Sequence, residues 1–289
     1  MFVGTYTALV TPFRADGSLD EDSLRRLVER QVEAGVDGVV PVGTTGESPT
    51  LDYAEHARVI EVTVEAAARR IKVIAGTGSN STHEAVDLTR GAMAAGADAT
   101  LQVTPYYNKP SQEGLYRHFA AVADIGLPVV VYNIPGRTAR DVDLDTLARL
   151  ADHPRIVAVK ESTGQIERVS ELRCRCPNLT VLSGDDALTL PMMVVGAAGV
   201  ISVASNVAPR EVAAMVRHAR EGRWEEARAL HARLYPLFRD LFIDTNPIPV
   251  KAAMEMLGLG AAVYRLPLCP MSEDRLDRLR KTLKAGGML

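Results

Sequence analysis

The sequence predicts an α/β fold, a (β/α)8 TIM barrel with a C-terminal helical extension. Short apolar runs rich in Val and Ile recur eight times in the first 204 residues, and amphipathic patterns with apolar residues three and four positions apart lie between them. One run follows another after about 20 to 35 residues, the length of a strand, a helix and their loops. Because right-handed crossovers wind such units in one direction, eight of them close a ring.

The eight apolar runs are four or five residues long and almost uninterrupted in hydrophobicity. Strands of a parallel sheet have this pattern because helices cover one face and the barrel interior the other. The predicted strands are residues 6–10, 38–42, 72–75, 100–104, 129–133, 156–160, 180–183 and 200–204.

Beyond residue 204 the pattern is helical only. Four amphipathic segments are predicted as helices, at 210–221, 224–241, 249–257 and 272–285. We therefore expect a catalytic (β/α)8 barrel over residues 1–208 and a C-terminal helical segment over residues 209–289.

Composition and charge exclude several classes of protein. Hydrophobic residues make up 47% and charged residues 24% of the 289 residues, which excludes disordered, collagen-like and disulfide-stapled chains. Lys and Arg number 33 against 36 Asp and Glu without a block of like charge, so nucleic acid and anionic membranes are not indicated as partners. Three cysteines and a start without a leader pattern predict a reduced, cytoplasmic protein. The uncharged stretch 187–209 is interrupted by Gly and bounded by Pro, which favours helix, turn and strand over a spanning helix.

Polar and glycine residues collect at the carboxyl ends of the predicted strands, where barrel enzymes carry their chemistry. Lys160 is the most informative of them. It alone among six lysines closes an apolar strand. Desolvation there favours the neutral amine, which attacks carbonyl groups, so Lys160 is a candidate Schiff-base nucleophile. The alternative is a buried structural salt bridge with Glu161 or Asp185.

Other residues at these ends also have a chemical and a structural interpretation. Tyr132 ends the neighbouring strand and could move protons beside Lys160, or only pack there. Thr44 and Thr45 lie in a glycine-flanked turn that could hold a carboxylate, and Thr44 could instead form a helix capping box with Glu47. Arg137 suits a second carboxylate bidentately, or is a solvated surface residue.

Metal and cofactor sites are not indicated. The six histidines never fall at ligand spacing within one element, and Cys174 and Cys176 have no partner cysteines. The sequence Gly76-Thr77-Gly78 lacks the rest of a dinucleotide-binding fingerprint. Asp185 and Asp186 are expected to cap the following helix. The residues thus support a metal-free, cofactor-free, lysine-dependent aldolase-type reaction.

Six motifs, in order and at matching spacing over essentially the whole chain, resemble the 4-hydroxy-tetrahydrodipicolinate synthase (dihydrodipicolinate synthase) family of the pyruvate-dependent class I aldolase and lyase superfamily. The lysine of strand six and the tyrosine of strand five are shared by that superfamily, whereas Arg137 and the Pro-Tyr-Tyr motif point to the synthases. The motifs are residues 43–47, 104–107, 132–138, 160–161, 182–186 and 246–251.

The resemblance implies that Lys160 forms an imine with pyruvate, whose enamine attacks L-aspartate 4-semialdehyde in the diaminopimelate route to L-lysine. It also implies a proton relay of three hydroxyls, the third donated across a dimer interface, and a set of groups that hold the substrates. The relay residues are Thr44, Tyr132 and Tyr107. The binding residues are Thr45 for the pyruvate carboxylate, Arg137 for the semialdehyde carboxylate, and the backbone at Gly184 and Ile201.

The resemblance further implies a homotetramer built as a dimer of dimers, and an L-lysine effector site. The residues that match this site are Ser48, His56, Asn80, Glu84 and Tyr106. Pro49 and Tyr53 stand where lysine-inhibited members have a small residue and a histidine. Two other functions stay open: a superfamily lyase acting on N-acetylneuraminate or a 2-keto-3-deoxy sugar acid, and a catalytically silent small-molecule-binding regulator.

Overall fold

The computed structural model describes residues 2–289, so residue 1 of the predicted barrel segment lies outside the described part. Eight parallel strands form a closed barrel in the order of the chain, which confirms the predicted fold. The strands are β1 (Gly4–Ala8), β2 (Gly38–Val40), β3 (Lys72–Gly76), β4 (Ala99–Val103), β5 (Val129–Asn133), β6 (Ile156–Glu161), β7 (Thr180–Ser183) and β8 (Gly199–Ser202).

Helices surround the barrel and continue beyond it. Those between the strands are α1 (Glu21–Ala34), α2 (Tyr53–Ala67), α3 (Thr82–Ala95), α4 (Gln112–Ala123), α5 (Pro135–Thr138), α6 (Leu144–Ala151), α7 (Glu167–Arg175) and α8 (Thr189–Val194). Those after the last strand are α9 (Pro209–Arg220), α10 (Trp224–Asp240), α11 (Ile248–Met256) and α12 (Glu273–Ala285). Each of the four predicted C-terminal helices lies within a residue or two of its expected bounds.

Closure of the barrel between β8 and β1 depends on close backbone approach. Gly199 has φ +154°, and a side-chain carbon there would lie 1.9 Å from the carbonyl oxygen of Gly4 on the paired strand. Only glycine combines this backbone angle with this separation, so the first residue of β8 must lack a side chain.

The helix α9 covers the barrel although it lies beyond the last strand. It packs on β1 and contacts α1 and α8 on its two sides, while α10 packs on α9 and α12 packs on α10 and α11. The C-terminal helices therefore continue the outer layer. The domain boundary at residue 208 stays a prediction.

The uncharged stretch 187–209 forms α8, β8 and a single turn of 3₁₀ helix at Ala204–Asn206, as its glycines and prolines indicated. None of the helices within residues 2–289 has both the length and the apolar character needed to cross a membrane.

The buried imidazole of His118 gives this fold a measurable response to acid. His118 lies on α4 under Thr82, whose hydroxyl is 2.9 Å from Nδ1, and burial lowers the pKa of His118 to about 4. An unfolded histidine takes up its proton near pH 6.5. Between pH 6.5 and pH 4 the unfolded chain binds a proton at His118 that the folded protein does not bind. The contribution of the neutral, buried ring to the free energy of unfolding is therefore complete above pH 6.5 and is lost as the pH falls from 6.5 to 4.

We expect the wild-type protein to lose about 3 kcal/mol more free energy of unfolding between pH 6.5 and pH 4 than a His118→Gln variant, which has no titrating ring. Urea unfolding of both proteins at several pH values measures the difference. If the difference in free energy of unfolding between the two proteins did not change with pH, the low pKa of His118 would be contradicted.

Candidate active site

Lys160 and Tyr132 lie side by side at the carboxyl end of the barrel. The register of β5 and β6 pairs Tyr132 with Lys160, and Lys160 Nζ is 3.9 Å from the centre of the Tyr132 ring. Lys160 is only 6% exposed. Among the described residues 2–289 no carboxylate forms an ion pair with Nζ, so the salt-bridge alternative from the sequence is not formed. The structure presents a buried amine beside a phenol.

The carboxylate next to Lys160 in sequence is occupied elsewhere. Because side chains alternate along a strand, Glu161 points away from the barrel interior. It accepts hydrogen bonds from Arg168 Nε at 3.3 Å, Asn133 Nδ2 at 3.3 Å and the backbone N–H of Thr163 at 2.8 Å. This outward network fixes the ends of β5 and β6 behind the amine and the phenol.

The two aspartates after β7 have different roles. Asp185 Oδ1 accepts from the backbone N–H groups of Ala187 and Leu188, so it stabilises the turn before α8. The expectation that it caps α8 is wrong, because Leu188 is the N-cap residue of that helix and no side chain caps it. The expectation that Asp186 caps this helix is wrong as well. Asp186 is buried and accepts from Ser202 Oγ and from two backbone N–H groups that follow β8. Burial raises the pKa of Asp186 to about 6, and its contacts join the ends of β7 and β8.

Gly184 makes room for the Lys160 side chain. A side-chain carbon at Gly184 would lie 2.9 Å from Lys160 Cε and 1.9 Å from Ser162 Oγ. The backbone N–H of Gly184 donates to the carbonyl of Glu161 at 2.9 Å, which holds this approach in place. An alanine here would force the Ser162 hydroxyl and the Lys160 side chain to move.

The turn after β2 carries Thr44 and Thr45 to a cavity that Lys160 also lines. The expected capping box between Thr44 and Glu47 is not formed, because α2 begins only at Tyr53 and its capping box consists of Asp52 and Glu55. Glu47 has a left-handed backbone, with φ +55°, and its buried carboxylate pairs with Lys251. Thr45 is buried, and its hydroxyl oxygen accepts a hydrogen bond from Asn246 Nδ2 at 3.0 Å.

Asn246 is a site residue to which the sequence analysis gave no role. Besides its bond to Thr45, its carbonyl oxygen accepts from Arg137 Nη2 at 3.3 Å. Its own Oδ1 is buried without a hydrogen-bond partner among residues 2–289. The sequence contains Asn246 in the motif 246–251, but the motif has no local pattern that would indicate a chemical role for this residue. Asn246 connects the threonine turn to Arg137 at the mouth.

Six of the sequence-predicted residues line one small cavity of about 50 Å³, together with Asn246 and the half-exposed Phe242. The six are Thr44, Thr45, Tyr132, Arg137, Lys160 and Gly184. Ile201 lies buried in β8, paired with Tyr6, and does not line this cavity among the described residues.

Tyr107 is not brought to this cavity within one chain. Its side chain is 89% exposed, and its backbone is left-handed with φ +72°. The neighbouring loop is fixed nonetheless, because Asn80 Nδ2 donates to the carbonyl of Tyr106 and Asn108 Nδ2 donates to the carbonyl of Asn80. The loop therefore presents the Tyr107 phenol to the outside.

A second cavity of about 490 Å³ adjoins the first and shares Thr44, Tyr132 and Arg137 with it. Four of the five predicted effector residues line it: Ser48, His56, Glu84 and Tyr106. Asn80 does not line it.

Inside this second cavity two of the predicted effector residues, His56 and Glu84, already have hydrogen-bond partners. His56 Nε2 lies 2.9 Å from the carbonyl oxygen of Gly76, so this nitrogen carries the proton, and burial lowers the pKa of His56. Glu84 accepts a hydrogen bond from Ser79 Oγ at 2.5 Å, and its carboxylate raises the pKa of the nearby Tyr53 phenol. Within residues 2–289 no cluster of three or more His, Cys, Asp or Glu side chains is arranged to hold a metal ion.

Comparison with known proteins gives a uniform result. A model of the dihydrodipicolinate synthetase family matches residues 1–286. The 4-hydroxy-tetrahydrodipicolinate synthase of Pelobacter propionicus is 53% identical, with both chains covered completely. The crystal structure of dihydrodipicolinate synthase from Aquifex aeolicus is 52% identical, covers 99% of each chain and has a TM-score of 0.98.

Three further structural relatives bear on ligands and assembly. The enzyme from Acinetobacter baumannii, 44% identical with a TM-score of 0.98 and complete coverage of both chains, was solved with pyruvate. The enzyme from Cyanidioschyzon merolae, 42% identical with a TM-score of 0.97, covers 100% of this chain and 99% of its own, and was solved with lysine bound. A monomeric variant, also 42% identical with a TM-score of 0.97, covers 100% and 98%.

Proposed function

The chain belongs to the dihydrodipicolinate synthetase family, and we propose that Lys160 carries out its reaction at the barrel mouth. The activity is that of a 4-hydroxy-tetrahydrodipicolinate synthase, a Schiff-base-forming lyase that condenses pyruvate with L-aspartate 4-semialdehyde on the diaminopimelate route to L-lysine. The observation that carries the assignment of the nucleophile is the buried amine of Lys160 beside the Tyr132 ring, with no carboxylate partner within residues 2–289.

In the first step the Lys160 amine attacks the keto carbon of pyruvate. The resulting carbinolamine loses water and becomes an imine. Two proton transfers are needed, one from nitrogen and one to the departing oxygen. The ring of Tyr132 lies against the amine, which supports its hydroxyl as the group that carries these protons. The carboxylate of pyruvate binds at Thr45, whose turn enters the same cavity, with Gly184 lining the pocket. The implied contact with the backbone of Ile201 is not part of this proposal, because Ile201 does not line the cavity among the described residues.

In the second step the imine loses a methyl proton and becomes an enamine, which attacks the aldehyde carbon of the semialdehyde. Arg137, exposed at the mouth of the cavity, binds the carboxylate of this second substrate. Hydrolysis of the new imine releases the adduct and regenerates Lys160. Thr44 and Tyr132, together with Tyr107 of the partner subunit, relay the protons.

The conformation of the Tyr107 loop supports a relay shared between subunits. A phenol that is 89% exposed on a fixed loop is free to enter the mouth of a second copy. A dimer of this kind, doubled into a homotetramer, is our proposal for the assembly. The cytoplasm is the proposed location, supported by three cysteines that are all unpaired, as in a reducing compartment.

Arg137 also supports the synthase over the superfamily alternatives. A guanidinium at the mouth suits an amino acid carboxylate, whereas N-acetylneuraminate or a 2-keto-3-deoxy sugar acid calls for groups that bind hydroxyls along the sugar chain. A catalytically silent regulator has no need for a buried amine at the end of a strand.

L-lysine is proposed as an effector that binds in the second cavity, where Glu84 binds its ammonium groups and Tyr106 its aliphatic chain. The lysine-bound relative from Cyanidioschyzon merolae supports this proposal. In this chain Glu84 already accepts a hydrogen bond from Ser79 Oγ, so the ligand binds to a carboxylate that has one partner.

The nucleophile is tested by reduction of the imine. Incubation with pyruvate and borohydride is expected to add one reduced pyruvate to Lys160, located by peptide mass spectrometry. Lys160→Ala is expected to lose the adduct and at least about 1,000-fold of kcat, because the covalent route is removed. Full activity in Lys160→Ala would refute the assignment.

The second-substrate role of Arg137 is tested by a pair of variants. Arg137→Met is expected to lower kcat/KM for the semialdehyde about 100-fold while borohydride trapping of pyruvate is retained. Arg137→Lys keeps the charge without the planar fork, so its loss is expected to be intermediate. Equal values for both variants and the wild type would contradict the role, and a coupled assay that also offers sugar acids checks the substrate class.

The effector site is tested with L-lysine in steady-state assays. Millimolar L-lysine is expected to lower the rate of the wild type, and Glu84→Gln to weaken this inhibition about tenfold because the ammonium loses its charged partner. Glu65→Gln, an exposed carboxylate on α2, serves as the control. A rate that L-lysine leaves unchanged would remove the effector from the proposal.

A further inference from the structure

The turn that carries Thr44 and Thr45 is stabilised from several directions. Within the turn, the N–H of Glu47 donates to the carbonyl of Thr44 at 3.1 Å. From the end of β1, Thr11 Oγ1 donates to the carbonyl of Gly46 at 2.6 Å. These bonds involve backbone groups, and neither sets the direction of the Glu47 side chain.

The Glu47 side chain is directed by a buried ion pair. Glu47 and Lys251 are 0% and 2% exposed, and Lys251 Nζ also donates to the carbonyl of Val263 at 2.7 Å and lies 4.4 Å from the centre of the Phe13 ring. Two buried charges lose hydration on folding, and their attraction commonly only offsets that loss. A gain in net stability therefore explains the ion pair poorly. The fixed geometry that the ion pair gives to the Glu47 side chain is the better explanation.

Lys251 and Asn246 reach the same turn from one short segment of the chain. Asn246 binds the hydroxyl of Thr45 and Lys251 binds Glu47, across sequence separations of 201 and 204 residues. The N–H of Lys251 donates to the carbonyl of Pro247 at 3.1 Å, so Lys251 lies in the first turn of α11 and Asn246 directly precedes the N-cap residue of that helix. Residues at the start of a C-terminal helix therefore contact the turn after β2 at two positions, Thr45 and Glu47.

We propose that Glu47 and Lys251 are positioning residues for the condensation, because their ion pair keeps the turn in the one conformation that directs Thr44 and Thr45 into the Lys160 cavity. The inference rests on the proposed roles of these two threonines. The left-handed backbone of Glu47 supports it, since a residue other than glycine adopts φ +55° only where its surroundings impose it.

A positioning role predicts a specific kinetic pattern. Thr45 binds pyruvate and Thr44 belongs to the proton relay, so a displaced turn raises the KM for pyruvate and lowers kcat. Arg137 lies on the short helix α5 after β5, and among the described residues its hydrogen bond goes to the carbonyl of Asn246 and not to Glu47 or Lys251, so the KM for the semialdehyde changes little. General loss of structure would not separate the two substrates in this way.

The test uses the double variant Glu47→Gln with Lys251→Met, which removes both charges and approximately conserves volume. Either single change leaves one buried charge unpaired and is expected to destabilise the fold, so it is not informative. The double variant is expected to show an about tenfold higher KM for pyruvate, an about tenfold lower kcat and slower borohydride trapping, with a semialdehyde KM within about twofold of wild type. The matched control neutralises an exposed pair, Glu29→Gln with Arg70→Met, and is expected to match the wild type.

If the double variant does not fold, Glu47→Asp provides the second measurement. It keeps the charge but shortens the side chain by one methylene. The KM for pyruvate is again expected to rise while the KM for the semialdehyde changes little, with a smaller effect than in the double variant. Wild-type pyruvate parameters in the folded variant would overturn the proposal, and so would losses that affect both substrates equally and parallel a lower melting temperature. An inactive wild-type enzyme would instead refute the proposed function.

Discussion

The arrangement of this site depends on the pairing of β5 with β6 in one register. That register places Tyr132 opposite Lys160 and Asn133 opposite Glu161. Because neighbouring residues on a strand point to opposite faces, the first pair enters the barrel and the second points toward the helices. Among the described residues the inner pair has no carboxylate that forms an ion pair with Lys160. In the outer pair Asn133 donates to Glu161, which also accepts from Arg168. A slip of one residue would exchange the two environments.

Closure of the ring then brings distant parts of the chain to this pair. The turn after β2, the short helix after β5 and the glycine after β7 all reach one cavity because parallel strands end on the same side. The C-terminal segment completes it through Asn246 and Lys251, which contact the turn after β2. The helices beyond the barrel are therefore part of the framework of the site.

The sequence was informative wherever the physical signal is local. Continuous hydrophobicity identified all eight strands, because each is buried on both faces, and a lysine at the end of such a strand is anomalous on its own. The capping box of Thr44 and Glu47 was a wrong interpretation, since the local pattern fits a helix start but the partner of Glu47 is Lys251. Asp186 likewise bonds to residues after β8. Partners that folding brings together from far apart leave no local pattern.

The contacts between the turn after β2 and residues 246–251, at the start of α11, also bear on how such enzymes can be recombined. The two segments that make these contacts lie about 200 residues apart in the sequence but function as one unit. A chimera that takes its barrel from one family member and its tail from another joins a turn and a helix that were selected separately. Crossover points that move residues 43–48 and 246–251 together keep that unit intact, whereas a junction at the apparent barrel boundary divides it.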